Sequence, residues 1–164
     1  MGFGDGGLLG YVLSQADGLY DTGAEISPAM YQAAAAFNQA FIDAKLAEYA
    51  LYDGFRLPFA DKQFHATFSV NVLYFWQDPA ALFAELARVL QDGGRLCVSF
   101  CERAFMQKLP FARFGFAHYN ATKVIALDAH VFDLVWENRR NDWAVSKSGA
   151  LVKRETVHLL FGEI

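Results

Sequence analysis

The chain has 164 residues, enough for one domain with a sizeable core and too few for two ordinary ones. Apolar residues make up 54% and aromatics 16%, which argues against disorder, and a net charge of -4 gives no electrostatic reason to expect a nucleic-acid partner. No apolar run approaches the roughly 20 residues that span a bilayer, and the N-terminus lacks the basic region of a signal peptide, so the cytoplasm is the compartment expected.

The chain opens on Gly2-Phe3-Gly4-Asp5-Gly6-Gly7. Glycines at alternate positions permit positive φ and close approach of backbone to a ligand. Residues 8–14 then read as a helix, so the turn would offer N–H groups to a polar ligand. Gly6 occupies the position where N-myristoylation requires Ser or Thr. A strand follows at 19–26 and holds Glu25 near its end. An acid some twenty residues beyond a glycine turn is the arrangement that binds ribose hydroxyls in nucleotide folds; a glycine-rich tail and a capping acid are the plain competitors.

Ser27 can cap a helix with Pro28 in its first turn. That helix is expected to bury Met30, Ala33, Ala34, Phe37, Phe41 and Ile42, with Asn38 and Gln39 outward. A short strand at 46–52 ends at Asp53-Gly54. Residues 66–75 form an almost unbroken apolar, β-rich run, too apolar for an edge and suited to a strand covered on both faces. Asp78 and Pro79 start a helix whose Leu82, Phe83, Leu86, Val89 and Leu90 recur at helical spacing. Asp92-Gly93-Gly94 stops it, and 95–100 is a second strand, giving a parallel strand–helix–strand unit with a right-handed crossover.

Beyond it, 105–116 reads as a loop or short helix and 120–128 as a helix. Residues 131–137 and 151–161 read as strands joined through the polar 138–149 segment. Cys97 and Cys101 lie about 13 Å apart on one strand, beyond disulfide reach, and are expected as buried free thiols. The histidines show no ligand spacing with them, so no metal is expected.

Together these residues carry a resemblance. The opening glycines, Glu25-Ile26-Ser27-Pro28-Ala29-Met30, Leu57-Pro58-Phe59-Ala60-Asp61, Asn71-Val72-Leu73-Tyr74-Phe75-Trp76, and Arg88-Val89-Leu90 with Gly93-Gly94 stand in the order of the class I S-adenosylmethionine-dependent methyltransferases. The similarity covers nearly the whole chain. It implies one α/β domain over 1–164, Rossmann-like and doubly wound, with a mostly parallel sheet and an antiparallel C-terminal strand. Gly2, Gly4 and Gly6 would line the methionine part of S-adenosylmethionine. Glu25 would take the ribose hydroxyls, Ile26 and Met30 the adenine face, and Asp53 the adenine amino group. Asn71 would lie at the carboxyl end of its strand, beside the ligand. The activity implied is methyl transfer to a small-molecule acceptor, with residues 105–119, including Arg113 and His118, as a candidate acceptor-side lid; no general base is identified.

One departure stands out. The family places a strand, usually ending in an acid, immediately before the glycine turn, where this sequence has only Met1. On this reading the domain is N-terminally truncated, either a portion of a longer protein or a degenerate form with impaired cofactor binding. Two inner strand edges would then lack ladder partners. The alternative is therefore a non-catalytic protein that pairs those edges with another chain, for instance as a homodimer. A third reading is an NAD(P)-dependent dehydrogenase, since Gly2-x-Gly4-x-x-Gly7 fits a dinucleotide fingerprint and Tyr119 and Lys123 have a Tyr-x-x-x-Lys spacing. Its expected context is missing: no Asn-rich turn follows the strand at 66–73.

Overall fold

The computed structural model describes residues 1–109, 114–115, 117–127, 131–145, 149 and 151–163. The chain divides into two compact units, Met1–Phe59 and Ala60–Ile164.

In the first unit the order is α1 (Leu9–Leu13), β1 (Asp21–Glu25), α2 (Pro28–Phe37), α3 (Gln39–Asp43) and β2 (Ala47–Leu51). β1 and β2 pair in parallel, from Asp21 opposite Ala47 to Glu25 opposite Leu51. Ser27 caps α2 through the Met30 N–H at 3.4 Å, with Pro28 in the first turn as its fixed φ favours. The single long helix expected at 28–42 is broken. Asn38 leaves helical geometry (φ -105, ψ 19), α3 starts anew, and Asn38 is buried while Phe37 is 72% exposed. Asn competes for backbone hydrogen bonds, and here its side chain found better partners inside.

The second unit holds β3 (Phe64–Val70), a 3₁₀ turn (Leu73–Phe75), α4 (Pro79–Val89), β4 (Leu90–Cys101), α5 (Arg103–Met106), α6 (Ala121–Leu127), β5 (Phe132–Val145) and β6 (Leu151–Glu163). Its sheet runs β3-β4-β6-β5, with β3 and β4 parallel and the other pairs antiparallel. Alternation along β4 and β6 sends Leu96, Val98, Phe100, Val157, Leu159 and Phe161 to one face, where all are fully buried. α4 covers that face, capped by Asp78 on the Ala81 N–H (3.0 Å) and burying Leu82, Phe83, Leu86 and Val89 as its spacing predicts. Phe83 meets Trp76 and Phe161 edge-on at centroid distances of 5.6 and 5.9 Å. Burying each such side chain stabilises by about 1.5–3 kcal/mol, so this layer is the main source of the unit's stability.

Three expectations change here. β3 stops at Val70 and is the end strand of its sheet, with His65, Ala66 and Val70 exposed, so it is not covered on both faces. Asn71 adopts a left-handed φ of 58° and turns the apolar run into the 3₁₀ turn. β4 begins at Leu90, and Gly93-Gly94 sit inside a register shift instead of between elements. β5 continues to Val145 through the polar stretch expected to be a connection, paired rung by rung with β6. Cys97 and Cys101 are free, the first half-buried and the second buried. Among the described residues no helix is long and apolar enough to cross a membrane.

Candidate functional site

The glycine turn and the acid of β1 meet in the first unit. Gly2, Gly4 and Gly6 all have positive φ (66°, 57° and 74°), which side-chain-bearing residues rarely adopt. Gly2 N–H donates to Ala24 O at 2.7 Å, and Gly6 N–H closes a turn on Phe3 O at 3.0 Å. Gly4 N–H donates to Glu25 Oε2 at 3.0 Å across 21 residues. The other oxygen, Oε1, accepts from the N–H groups of Ile26 (3.0 Å) and Ser27 (3.1 Å). Glu25 is 7% exposed and its backbone is tied to β2, Tyr52 N–H donating to its carbonyl at 3.1 Å. A carboxylate offers about four lone-pair sites. Among the described residues three are filled, by the N–H groups of Gly4, Ile26 and Ser27, leaving one for an incoming donor unless the Gly4 N–H lets go.

Two residues that the sequence did not mark as part of the site, Asn38 (expected outward) and Tyr49, hold this turn. Asn38 Nδ2 reaches Gly6 O (3.0 Å), Ala34 O (3.2 Å) and the Tyr49 hydroxyl (2.9 Å). Phe3 stacks on Tyr49 at 4.3 Å, and both rings lie against Gly23, where an added Cβ would meet them at 2.5 and 2.6 Å. Burial raises the Tyr49 phenol above its usual range, so it is the neutral hydroxyl that Asn38 meets. Replacing Asn38 by Ala should leave Gly6 O and the phenol without this partner, at about 1–3 kcal/mol of stability. Urea unfolding followed by the amide signals of β1 and β2 measures it. The only sequence signal for Asn38 is a polar residue closing an alanine-rich helical run.

The remaining expected residues divide. Ile26 and Met30 are 50% and 41% exposed, apolar surface just beyond Glu25. Gly54 lies against Ile26, since a Cβ added at Gly54 would stand 3.9 Å from Ile26 Cγ2, and this brings the Asp53 turn to the same place. Asp53 is exposed, and its Oδ1 accepts from the N–H groups of Phe55 and Arg56, both at 2.8 Å. Those bonds lower its carboxyl pKa. Between them, Tyr52 is pushed up to about 12 by burial and by the charges of Glu25 and Asp53.

Asn71 belongs to the second unit, one residue past β3. Its Oδ1 faces the Tyr74 hydroxyl (3.4 Å) and Cys101 Sγ (3.6 Å), and its N–H donates to Ser99 O (2.8 Å). Tyr74 OH also bonds both backbone groups of Cys101. Tyr119 is 3% exposed, with Lys123 Nζ 4.5 Å from its ring centroid, and Asn120 Oδ1 accepts the Lys123 N–H at 2.8 Å. The ammonium thus sits over the ring face at the start of α6, the ordinary-helix arrangement. His118 is half-buried, while Arg113 of the candidate lid lies outside the described residues.

A family model described as a methyltransferase domain matches residues 1–98, more than half of the chain. Comparison with curated proteins finds no match. Among solved structures, the PH0226 protein from Pyrococcus horikoshii OT3 superposes with a TM-score of 0.77 at 18% identity, over 99% of this chain and 79% of its own. A SAM-dependent methyltransferase from Aquifex aeolicus gives 0.74 at 15% identity, with the same coverage. A chain of the complex containing the Haloferax volcanii Trm112 methyltransferase activator gives 0.80 at 17%, again over 99% and 79%. The α/β architecture of those neighbours, mostly parallel with an antiparallel C-terminal strand, is the one found here. The chain belongs to the class I S-adenosylmethionine-dependent methyltransferases.

Proposed function

We propose that the chain, as one methyltransferase-like domain over 1–164, binds S-adenosylmethionine through its first unit and methylates a small-molecule acceptor. The observation that carries this reading is the Gly4 N–H to Glu25 Oε2 bond, which joins the turn to the acid. The residues suit the cofactor's chemistry. Beyond Gly4 there is open space where a side chain would stand, so backbone can approach the methionine portion. The unfilled lone-pair site of Glu25 can accept a ribose hydroxyl. Exposed Ile26 and Met30 can cover an adenine face. Asp53 has Oδ1 committed to its own turn, and its role is to present the remaining oxygen to the adenine amino group.

When bound, the cofactor supplies an electrophilic methyl group on a sulfonium. The chain's part is to hold that group and the acceptor in line, since positioning alone can account for much of such a rate enhancement. Calorimetric titration of the full chain tests the reading: S-adenosylhomocysteine should bind and NAD should not. Binding of NAD alone would favour the dehydrogenase. Binding of neither would favour a partner-binding role, for which the supporting observation is that β1 and β3 each end a sheet.

A further inference from the structure

The sheet of the second unit carries, on the face opposite α4, a buried hydroxyl without a hydrogen-bond partner, close to exposed donors that make no hydrogen bond to the described residues. Register puts Cys101, Thr156 and Arg140 on one rung, Ser99, His158 and Asn138 on the next inward, and Arg154 opposite Asp142 on the next outward. Alternation sends all of these side chains to one face. The single acid among them is taken, because Arg154 grips Asp142 through Nη2 (2.6 Å) and Nε (3.1 Å). Ser99 Oγ and His158 Nδ1 satisfy each other at 2.6 Å.

Asn138 is exposed and makes no side-chain hydrogen bond among the described residues, and three more groups are left over. Arg140 is exposed; its charge helps hold the Asp142 carboxyl low, but it has neither an ion pair within 4 Å nor a side-chain hydrogen bond among the described residues. Thr156 Oγ1, beside it, is sealed from water with no hydrogen-bond partner. Asn71 points its Oδ1 at Tyr74 OH and Cys101 Sγ, which turns its N–H₂ group away from both. The field is positive as well: after burial, Arg140 and Arg154 hold the His158 imidazole below its usual range against the opposing pull of Asp142.

A buried hydroxyl without a partner calls for one, and an unpaired guanidinium beside it selects that partner's charge. An apolar ligand would leave Thr156 unsatisfied, and a cation would be repelled by Arg140. We propose that Arg140, Thr156 and Asn71 bind a small oxyanion, a carboxylate or phosphate carried by the methyl acceptor. Its assignment to the acceptor rests on the methyltransferase reading; the anion site itself does not.

Amide and imidazole signals of the full labelled chain, titrated with millimolar acetate and separately with inorganic phosphate, test the site. Shifts are expected at residues 71, 140, 156 and 158, and the bound anion should raise the His158 titration midpoint, because negative charge favours imidazolium. Arg140→Gln should weaken binding about tenfold or more, and Thr156→Val several-fold, each with the rest of the spectrum retained. Response to acetate alone assigns a carboxylate, and response to phosphate alone a phosphate. Absence of shifts with either anion, or equal affinity in wild type and Arg140→Gln, overturns the site. S-adenosylhomocysteine titrated into the same sample reports on the cofactor reading separately; if it alone fails, the anion site stands and only its link to a methyl acceptor is lost.

Discussion

Replacing Glu25 by Ala is expected to abolish measurable S-adenosylhomocysteine binding and to loosen the first unit. The side chain accepts three backbone N–H groups, and the Gly4 bond is the one that spans 21 residues. Removing it strands these donors in a buried place, at about 1–3 kcal/mol for each that water cannot reach. Two charge-assisted bonds to ribose hydroxyls, one at the open lone-pair site and one at the site the Gly4 N–H gives up to the ligand, would be lost as well, at about 1.5–3 kcal/mol each, which is roughly a hundredfold or more in affinity. Glu25→Gln separates the two effects. It keeps the shape and one carbonyl oxygen, so the fold should survive while affinity still drops at least about tenfold. If calorimetry found Glu25→Gln binding as tightly as wild type, Glu25 would not be the ribose residue.

Gly6→Ala is expected to damage the first unit strongly, through strain and collision together. A Cβ there would stand 2.4 Å from Asn38 Nδ2, 3.0 Å from Ala34 Cβ and 3.1 Å from the Tyr49 hydroxyl. The φ of 74° adds about 1–2 kcal/mol for a residue with a side chain, and overpacking typically another 1–3. Because the intruding atom meets the Asn38 side-chain amide that holds Gly6 O, Gly6→Ala should also weaken S-adenosylhomocysteine binding. Gly4→Ala makes the contrast: similar φ, but open space around the added methyl, so strain without collision. Urea unfolding followed by the amide signals of residues 21–51 compares them. A loss below about 0.5 kcal/mol for Gly6→Ala, the range of ordinary surface changes, would contradict the packing described.

What the sequence made legible was local. Ser27-Pro28 and Asp78-Pro79 cap the helices they were expected to cap, because a cap is decided within four residues. The spacing of Leu82, Phe83, Leu86 and Val89 named the buried face of α4 for the same reason. Glu25 was legible through a glycine turn at a familiar distance, and the chain brings the two together.

The misreadings share a different cause. Asn38 was assigned outward by extending a 3.6-residue period through a point where the chain leaves the helix, so the period no longer applied. The end of β3 was hidden because the apolar run continues past Asn71, whose left-handed φ no periodicity reveals. The outer half of β5 is polar and reads as a loop. It is held by a partner strand, notably through Asp142 and Arg154, a cross-strand pair that local propensity cannot report. Ser99 and His158, 59 residues apart, are paired only by β-sheet register.

The central claim is that a sulfonium nucleoside is held where the glycine turn meets the carboxylate of Glu25. The most direct measurement is an amide-resolved titration of the labelled chain with S-adenosylhomocysteine. The account predicts shifts concentrated at residues 2–7, 24–30 and 53–54, with the Gly4 amide moving most as its bond to Glu25 is exchanged for the ligand. Saturable binding that left Gly4 and the amides of Ile26 and Ser27 unmoved, or no binding at all, would contradict it.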